Sequence, residues 1–249
     1  MNINDNTPLC LLIGGSSEIG TAIAYEFATI GYDIVLAGRD LESIDIISKD
    51  IAIRFGVKTY THFLDILSIP SQLELISTLP KIPEVVIFSI GILGNQEQAQ
   101  VDFEHAKLII DINFTYSIFL LNYFANEFEK RKFGSIIGIS SVAGDRGRKS
   151  NYIYGASKAA FTAYLSGLRN RLSKSNIHIL TVKPGFVATK MTSHLNLPSK
   201  FTLTAEQVAK DTIKAFKRKK DIIYSSSVYK IIMFIVKHIP EKIFKKLNI

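Results

Sequence analysis

A tyrosine and a lysine four positions apart, Tyr154 and Lys158, with Ser141 upstream of them, are the residues whose types and spacing could do chemistry. On a helix that spacing puts both side chains on one face. A phenol titrates at about 10 in water and is a poor acid or base at neutral pH. An ammonium a few ångströms away favours the phenolate and lowers that pKa. The pair then acts as a proton donor to a carbonyl or an acceptor from an alcohol. The Ser141 hydroxyl can hydrogen-bond the same oxygen. Standing alone, such a pair is more often two surface residues of a helix, so the rest of the chain has to supply its setting.

The setting is an alternation of strands and helices. Residues 9–13 form an apolar run of the kind that a buried parallel strand needs. Gly14-Gly15-Ser16-Ser17-Glu18-Ile19-Gly20 follows, then helix-spaced apolar residues over 21–30. Strand, glycine-rich turn and helix make a phosphate cradle from backbone N–H groups and a helix N-terminus. A second strand, 32–37, ends in Gly38-Arg39-Asp40. An acid at that strand end would bind a ribose hydroxyl. Here the position holds a glycine followed by Arg39, whose guanidinium suits a 2′-phosphate. Asp40 suits the N-cap of a helix over 41–55.

Further strands are expected at 57–63, 84–88, 135–139, 177–182 and 221–224. Helices are expected at 71–79, 103–132, 152–173 and 204–217, the last opened by a Thr204/Gln207 capping box. The stretch 103–132 is apolar on several faces, which predicts core on one side and a subunit interface on the other. Asn113, a mediocre helix former, sits inside it. Residues 186–199 read as an irregular lid. This pattern predicts an α/β fold, one doubly wound parallel sheet of seven strands with helices on both faces.

At 249 residues the chain can bury a sizeable core. Its single cysteine, Cys10, permits no disulfide framework and suits a cytoplasmic setting. Residues 1–6 have no basic, apolar leader pattern, and five scattered histidines give no metal-ligand spacing. The net charge is +8, and residues 226–249 hold five lysines against Glu241. No nucleic-acid motif accompanies this basicity, which favours an anionic membrane as its partner.

In this order the glycine turn at 14–20, Asp65, Gly91, Asn113, Ser141, Tyr154 with Lys158, and Pro184-Gly185 with Thr189 resemble the short-chain dehydrogenase/reductase family over residues 8–225. The resemblance implies Tyr154 as acid/base, Lys158 as its pKa tuner and ribose contact, Ser141 as orienter of the carbonyl oxygen and Asn113 as holder of a relay water. It implies cofactor contacts at Gly14, Ser16, Ser17, Ile19 and Gly20 for the phosphates, Asp65 and Ile66 for the adenine, Gly91, and Pro184, Gly185, Val187 and Thr189 beside the nicotinamide. The expected cofactor is NADP(H), with NAD(H) as the alternative. The sequence departs from the family pattern at Ile13, at Glu18 in place of a glycine, and at Phe88-Ser89-Ile90-Gly91.

The turn motif, Gly91-Ile92-Leu93-Gly94, Gly144-Asp145-Arg146-Gly147-Arg148 and residues 184–192 resemble the subgroup that includes the decaprenyl-phosphoryl keto-pentose 2-reductase. That implies a keto-sugar on a lipid phosphate. Arg146 and Arg148 are expected to hold the phosphate, with Phe186 and Met191 beside the substrate. A free hydrophobic ketone, 3-oxoacyl or steroid-like, is the alternative substrate, and a catalytically idle dinucleotide-binding protein the alternative class. The expected assembly is a homodimer or homotetramer. Residues 1–225 are expected to form the dinucleotide-binding domain. Residues 226–249, with apolar residues at helical spacing and lysines beside them, are expected to form an amphipathic tail that makes peripheral contact with the inner face of the membrane.

Overall fold

In the computed structural model, which describes residues 7–247, the chain alternates as expected. The strands are β1 (Leu9–Ile13), β2 (Asp33–Gly38), β3 (Thr59–Phe63), β4 (Val85–Phe88), β5 (Gly134–Ile139), β6 (Ile177–Lys183) and β7 (Ile222–Tyr224). The helices are α1 (Glu18–Thr29), α2 (Leu41–Phe55), α3 (Ile69–Thr78), α4 (Gln96–Ala99), α5 (Phe103–Ile110), α6 (Ser117–Arg131), α7 (Tyr152–Leu172), α8 (Ala205–Lys217), α9 (Ser227–His238) and α10 (Glu241–Phe244). The expectation for residues 1–6 lies outside the described residues.

The strands form one sheet of order β3-β2-β1-β4-β5-β6-β7, parallel at every pairing. Successive residues of a strand point to opposite faces, so each central strand serves two cores. Leu9, Leu11 and Ile13 of β1 pack with Leu121, Phe124 and Phe128 of α6 and Phe161 and Leu165 of α7. Cys10 and Leu12 pack with Ile23 and Phe27 of α1 and Val208 of α8. Burial on both faces is why the central strands are continuous apolar runs rather than alternating ones.

The strand order reverses between β1 and β4, the switch point where ligands bind in open α/β sheets. Gly14, Arg39, Asp65, Gly91, Ser141 and Pro184 all follow the carboxyl ends of successive strands, and so share one edge of the sheet.

Residues 103–132, expected as one helix, are two helices joined by a π-helical turn at Asp111–Thr115. Such turns are frequent at functional sites. This one buries Asn113, whose Oδ1 accepts from the Ile92 N–H at 2.8 Å and whose Nδ2 donates to the Ile92 carbonyl at 2.9 Å and to Ser157 Oγ at 3.0 Å. The short helix α4 was not expected from the sequence. Asn95 caps it by accepting from the Gln98 N–H.

Candidate active site

Helix α7 presents Tyr154 and Lys158 toward the end of β5, one turn apart. The turn after β5 carries Ser141, whose Oγ accepts from the Ala143 N–H at 3.1 Å. That leaves its hydrogen free to donate, and Ser141 lines the same small cavity as Tyr154. The turn is braced by Asp145, whose buried carboxylate takes the Lys183 ammonium and the Tyr224 hydroxyl. Lys158 donates from Nζ to the Ile139 carbonyl at 3.2 Å, and its Nζ stands 5.9 Å from the Tyr154 ring centroid.

Burial sets the protonation states. It raises the Tyr154 phenol, opposed only by the Ser141 hydrogen bond. Burial thus outweighs the lowering expected from the Lys158 ammonium in the protein without cofactor or substrate. The same burial lowers Lys158 from 10.5 to about 8. A phenol with a raised pKa stays protonated at neutral pH, which is the form that donates to a carbonyl.

Two adjoining cavities run along the sheet edge. The larger, about 430 Å³, is lined by Gly14, Ser16, Ser17, Glu18, Ile19, Arg39, Asp65, Ile66, Gly91, Thr189 and Met191, among others. The smaller, about 100 Å³, is lined by Ser141, Tyr154, Lys158, Pro184, Gly185, Val187 and Thr189, and shares Ser17, Ile19, Ser89, Gly91 and Met191 with the first. The expected cofactor residues and the acid/base group therefore lie along one groove. Gly20 and Asn113 stand behind its walls rather than on them, and Phe186 lines neither cavity.

The groove fits a dinucleotide. The N-terminus of α1 opens into it, capped by Ser17 Oγ, which accepts from the Gly20 N–H and is 2.8 Å from Ser89 Oγ. At Gly91 a Cβ would stand 2.8 Å from Asn113 Oδ1 and 3.1 Å from Lys158 Nζ, so a side chain there would displace both groups. At Gly38 a Cβ would meet Ile44 Cδ1 at 2.9 Å, so a side chain there would have to displace it. The neighbouring Asp40 is engaged as the N-cap of α2, accepting from the Ser43 N–H and hydroxyl. Arg39 is exposed on the groove wall with no hydrogen-bond partner from the described residues.

Glu18, which replaces a family glycine, has a defined place. Its Oε2 accepts from the Lys190 N–H at 2.6 Å, joining the start of α1 to the loop after β6. The acid also complements the positive end of the helix.

The structure corrects the expectation for Arg146. Arg146 donates to the Val236 carbonyl and, at 2.6 Å, to the Ile239 carbonyl, pairs with Glu241 at 2.9 Å and stacks on Phe244 at 3.6 Å. Arg148 lies against Met233 Sδ. The Arg146 guanidinium is engaged by the tail and is not free to hold a substrate phosphate, whereas the buried Arg148 Nε has no hydrogen-bond partner among the described residues. The side chain of Asn113 is engaged by Ile92 and Ser157 and so fixes the backbone beside Gly91.

Sequence reasoning missed Tyr229. Its hydroxyl accepts from the Phe186 N–H and donates to the Phe201 carbonyl, both at 2.9 Å, and a Cβ on Gly185 would fall inside its ring. The tail thus completes the wall behind Pro184 and Gly185. The only available signal was an aromatic residue on one face of the amphipathic segment.

A family model described as short chain dehydrogenase matches residues 9–200. An uncharacterized oxidoreductase of Mycobacterium tuberculosis is 29% identical over 219 residues, covering 86% of each chain. A 3-oxoacyl-[acyl-carrier-protein] reductase of Aquifex aeolicus is 26% identical, covering 79% of this chain and 80% of that one. Among solved structures, a short-chain dehydrogenase from Sphingobium yanoikuyae in complex with NADPH superposes with a TM-score of 0.80 at 22% identity, covering 94% of this chain and 97% of that chain.

Proposed function

Because the chain belongs to the short-chain dehydrogenase family, a family of oxidoreductases that bind a nucleotide cofactor, we propose that it reduces a ketone to a secondary alcohol with NADP(H) as reductant. The observation that carries this reading is the groove itself. At one end Ser141, Tyr154 and Lys158 line one small cavity. At the other end stands Arg39, with no unengaged acid beside it. The similar Aquifex protein is a 3-oxoacyl reductase, and the structural relative was solved with NADPH.

When bound, the nicotinamide supplies a hydride to the carbonyl carbon. Ser141 holds the carbonyl oxygen by its hydroxyl hydrogen. Tyr154 gives that oxygen its proton, and the charge left on the phenol is stabilised by the Lys158 ammonium. Gly14, Ser16, Ser17 and Ile19 line the phosphate end. Asp65 and Ile66 line the adenine end, where Asp65 is fixed by accepting from the Leu67 N–H.

For the substrate we favour a ketone with an apolar body, and a keto-sugar on a lipid carrier is the specific candidate that the sequence motifs suggest. The exposed Met191 on the smaller cavity, beside the apolar Ile19, Ile90 and Val187, supports an apolar body. With Arg146 engaged by the tail, a carrier phosphate would need other partners. A free 3-oxoacyl or steroid-like ketone is the second reading, favoured by the Aquifex relative.

The cofactor reading is tested by comparing kcat/KM and fluorescence titrations for NADPH and NADH. NADPH is expected to win. Arg39→Ala is expected to cut that preference about tenfold, the lower range for a charged hydrogen bond at an exposed site. Equal specificity constants in the wild type would overturn it.

We also propose a homo-oligomer built on α5, α6 and α7, where Phe103, Leu108, Ile110, Phe119 and Tyr152 are exposed. Sedimentation velocity at micromolar concentration is expected to show a dimer or tetramer, and a monomer would count against it.

A further inference from the structure

The tail has two unlike faces. The inner face of α9 is anchored: Tyr229 and Met233 are buried with Val142, and Ile232 and Val236 pack beside them. Tyr229 bonds the Phe186 and Phe201 backbone, and Arg146 holds the carboxyl end of the helix. The outer face is apolar and bare. Ile231 is 62% exposed, Phe234 66% and Ile235 57%. Scattered apolar residues on a surface need no explanation, but a contiguous helical stripe does.

Lys230 and Lys237, at helical spacing, lie along one edge of this stripe. In and after α10, Ile243 is again exposed, with Lys242, Lys245 and Lys246 exposed around it. Helix α9 has 12 residues, about 18 Å of helix, far short of a bilayer's hydrocarbon core of about 30 Å. The segment can lie on a bilayer but not cross it.

We propose that the outer face of α9 and α10 seats the protein on an anionic lipid surface, with the apolar stripe in the acyl boundary and the lysines at the headgroups. Charge decides the occupant. A second copy docked face to face would bring the lysines of two tails together, whereas a negatively charged bilayer neutralises them. The opposite, inner face of the same helix backs the active site, because Tyr229 holds the loop that carries Phe186 and Met191. For its purpose the proposal rests on the reading that the substrate is lipid-borne, but docking is measured without turnover.

The test is flotation of the full-length protein with vesicles of phosphatidylcholine and phosphatidylserine, and with phosphatidylcholine alone. The wild type is expected to float with the anionic vesicles at low salt, and to lose most of that binding at high salt or on neutral vesicles. Combined Ile231→Ser, Phe234→Ser and Ile235→Ser is expected to cut the floating fraction at least tenfold. Turnover of a water-soluble ketone should be unchanged, which also confirms that the variant folds. Lys230→Glu with Lys237→Glu should lose flotation on anionic vesicles. Failure of the wild type to float, or flotation of the serine variant like the wild type, overturns the proposal. So does a serine variant that sediments as a smaller assembly, since the face would then join copies of the chain. If no ketone is reduced while flotation behaves as expected, the catalytic reading falls and the docking face stands.

Discussion

Replacing Tyr154 by phenylalanine is expected to lower the rate of ketone reduction by about 10²–10⁴-fold, the usual contribution of general acid–base catalysis. Cofactor binding is expected to be nearly unchanged. The substitution removes one hydroxyl from a ring whose neighbours are otherwise intact. It takes the proton source from the carbonyl oxygen. The Ser141 oxygen keeps its bond from the Ala143 N–H, so the turn should hold its shape. The fall should appear in kcat and in kcat/KM alike, since the interaction is made in the transition state. Reduction by Tyr154→Phe at the wild-type rate would remove the proposed mechanism.

Lys158→Met is expected to move two observables in opposite directions. Activity should fall by about 10² or more, as the charge that stabilises the phenolate is lost. Stability at pH 7 should rise, because burial lowers the amine from 10.5 to about 8 and the folded state must hold a buried charge below that value. Between about 8 and 10.5 the unfolded chain binds more protons at this lysine than the folded one, so its cost to the fold diminishes as pH rises through that window. The gain from methionine should thus be largest at and below neutral pH, on the order of 3 kcal/mol, and fade toward pH 10. The wild-type reduction rate should decline as pH rises through about 8, and the variant should lack that limb. Urea denaturation at several pH values and a pH–rate profile check both. A variant less stable than the wild type at pH 7 would contradict the burial argument.

The strands were legible because parallel strands buried on both faces must be short apolar runs. Expected boundaries fell within a residue or two of the observed ones. The widest miss was β3, expected from 57 and observed from Thr59, at the partly exposed edge of the sheet. The π turn was not legible. Its hydrogen-bond register follows from docking the Asn113 amide on Ile92, a contact between residues 21 positions apart. The engagement of Arg146 was invisible for the same reason: one carbonyl it binds lies 90 positions away, and charge alone cannot tell a free guanidinium from an occupied one. The i, i+4 spacing located Tyr154 and Lys158 but carried no information about their burial, which reversed the expected shift of the phenol.

The fit of Tyr229 against Gly185 bears on how this chain can be divided or recombined. The segment shared with the family model stops at residue 200, yet the ring that backs Gly185 comes from α9. A trimmed version chosen from the shared segment alone would lack one wall of its own pocket. Positions 185 and 229 occupy a single volume, so a chimera that imports a foreign tail must import its matching residue at 185 as well. The two should behave as one heritable unit, with a bulkier residue at the first accepted only beside a smaller one at the second.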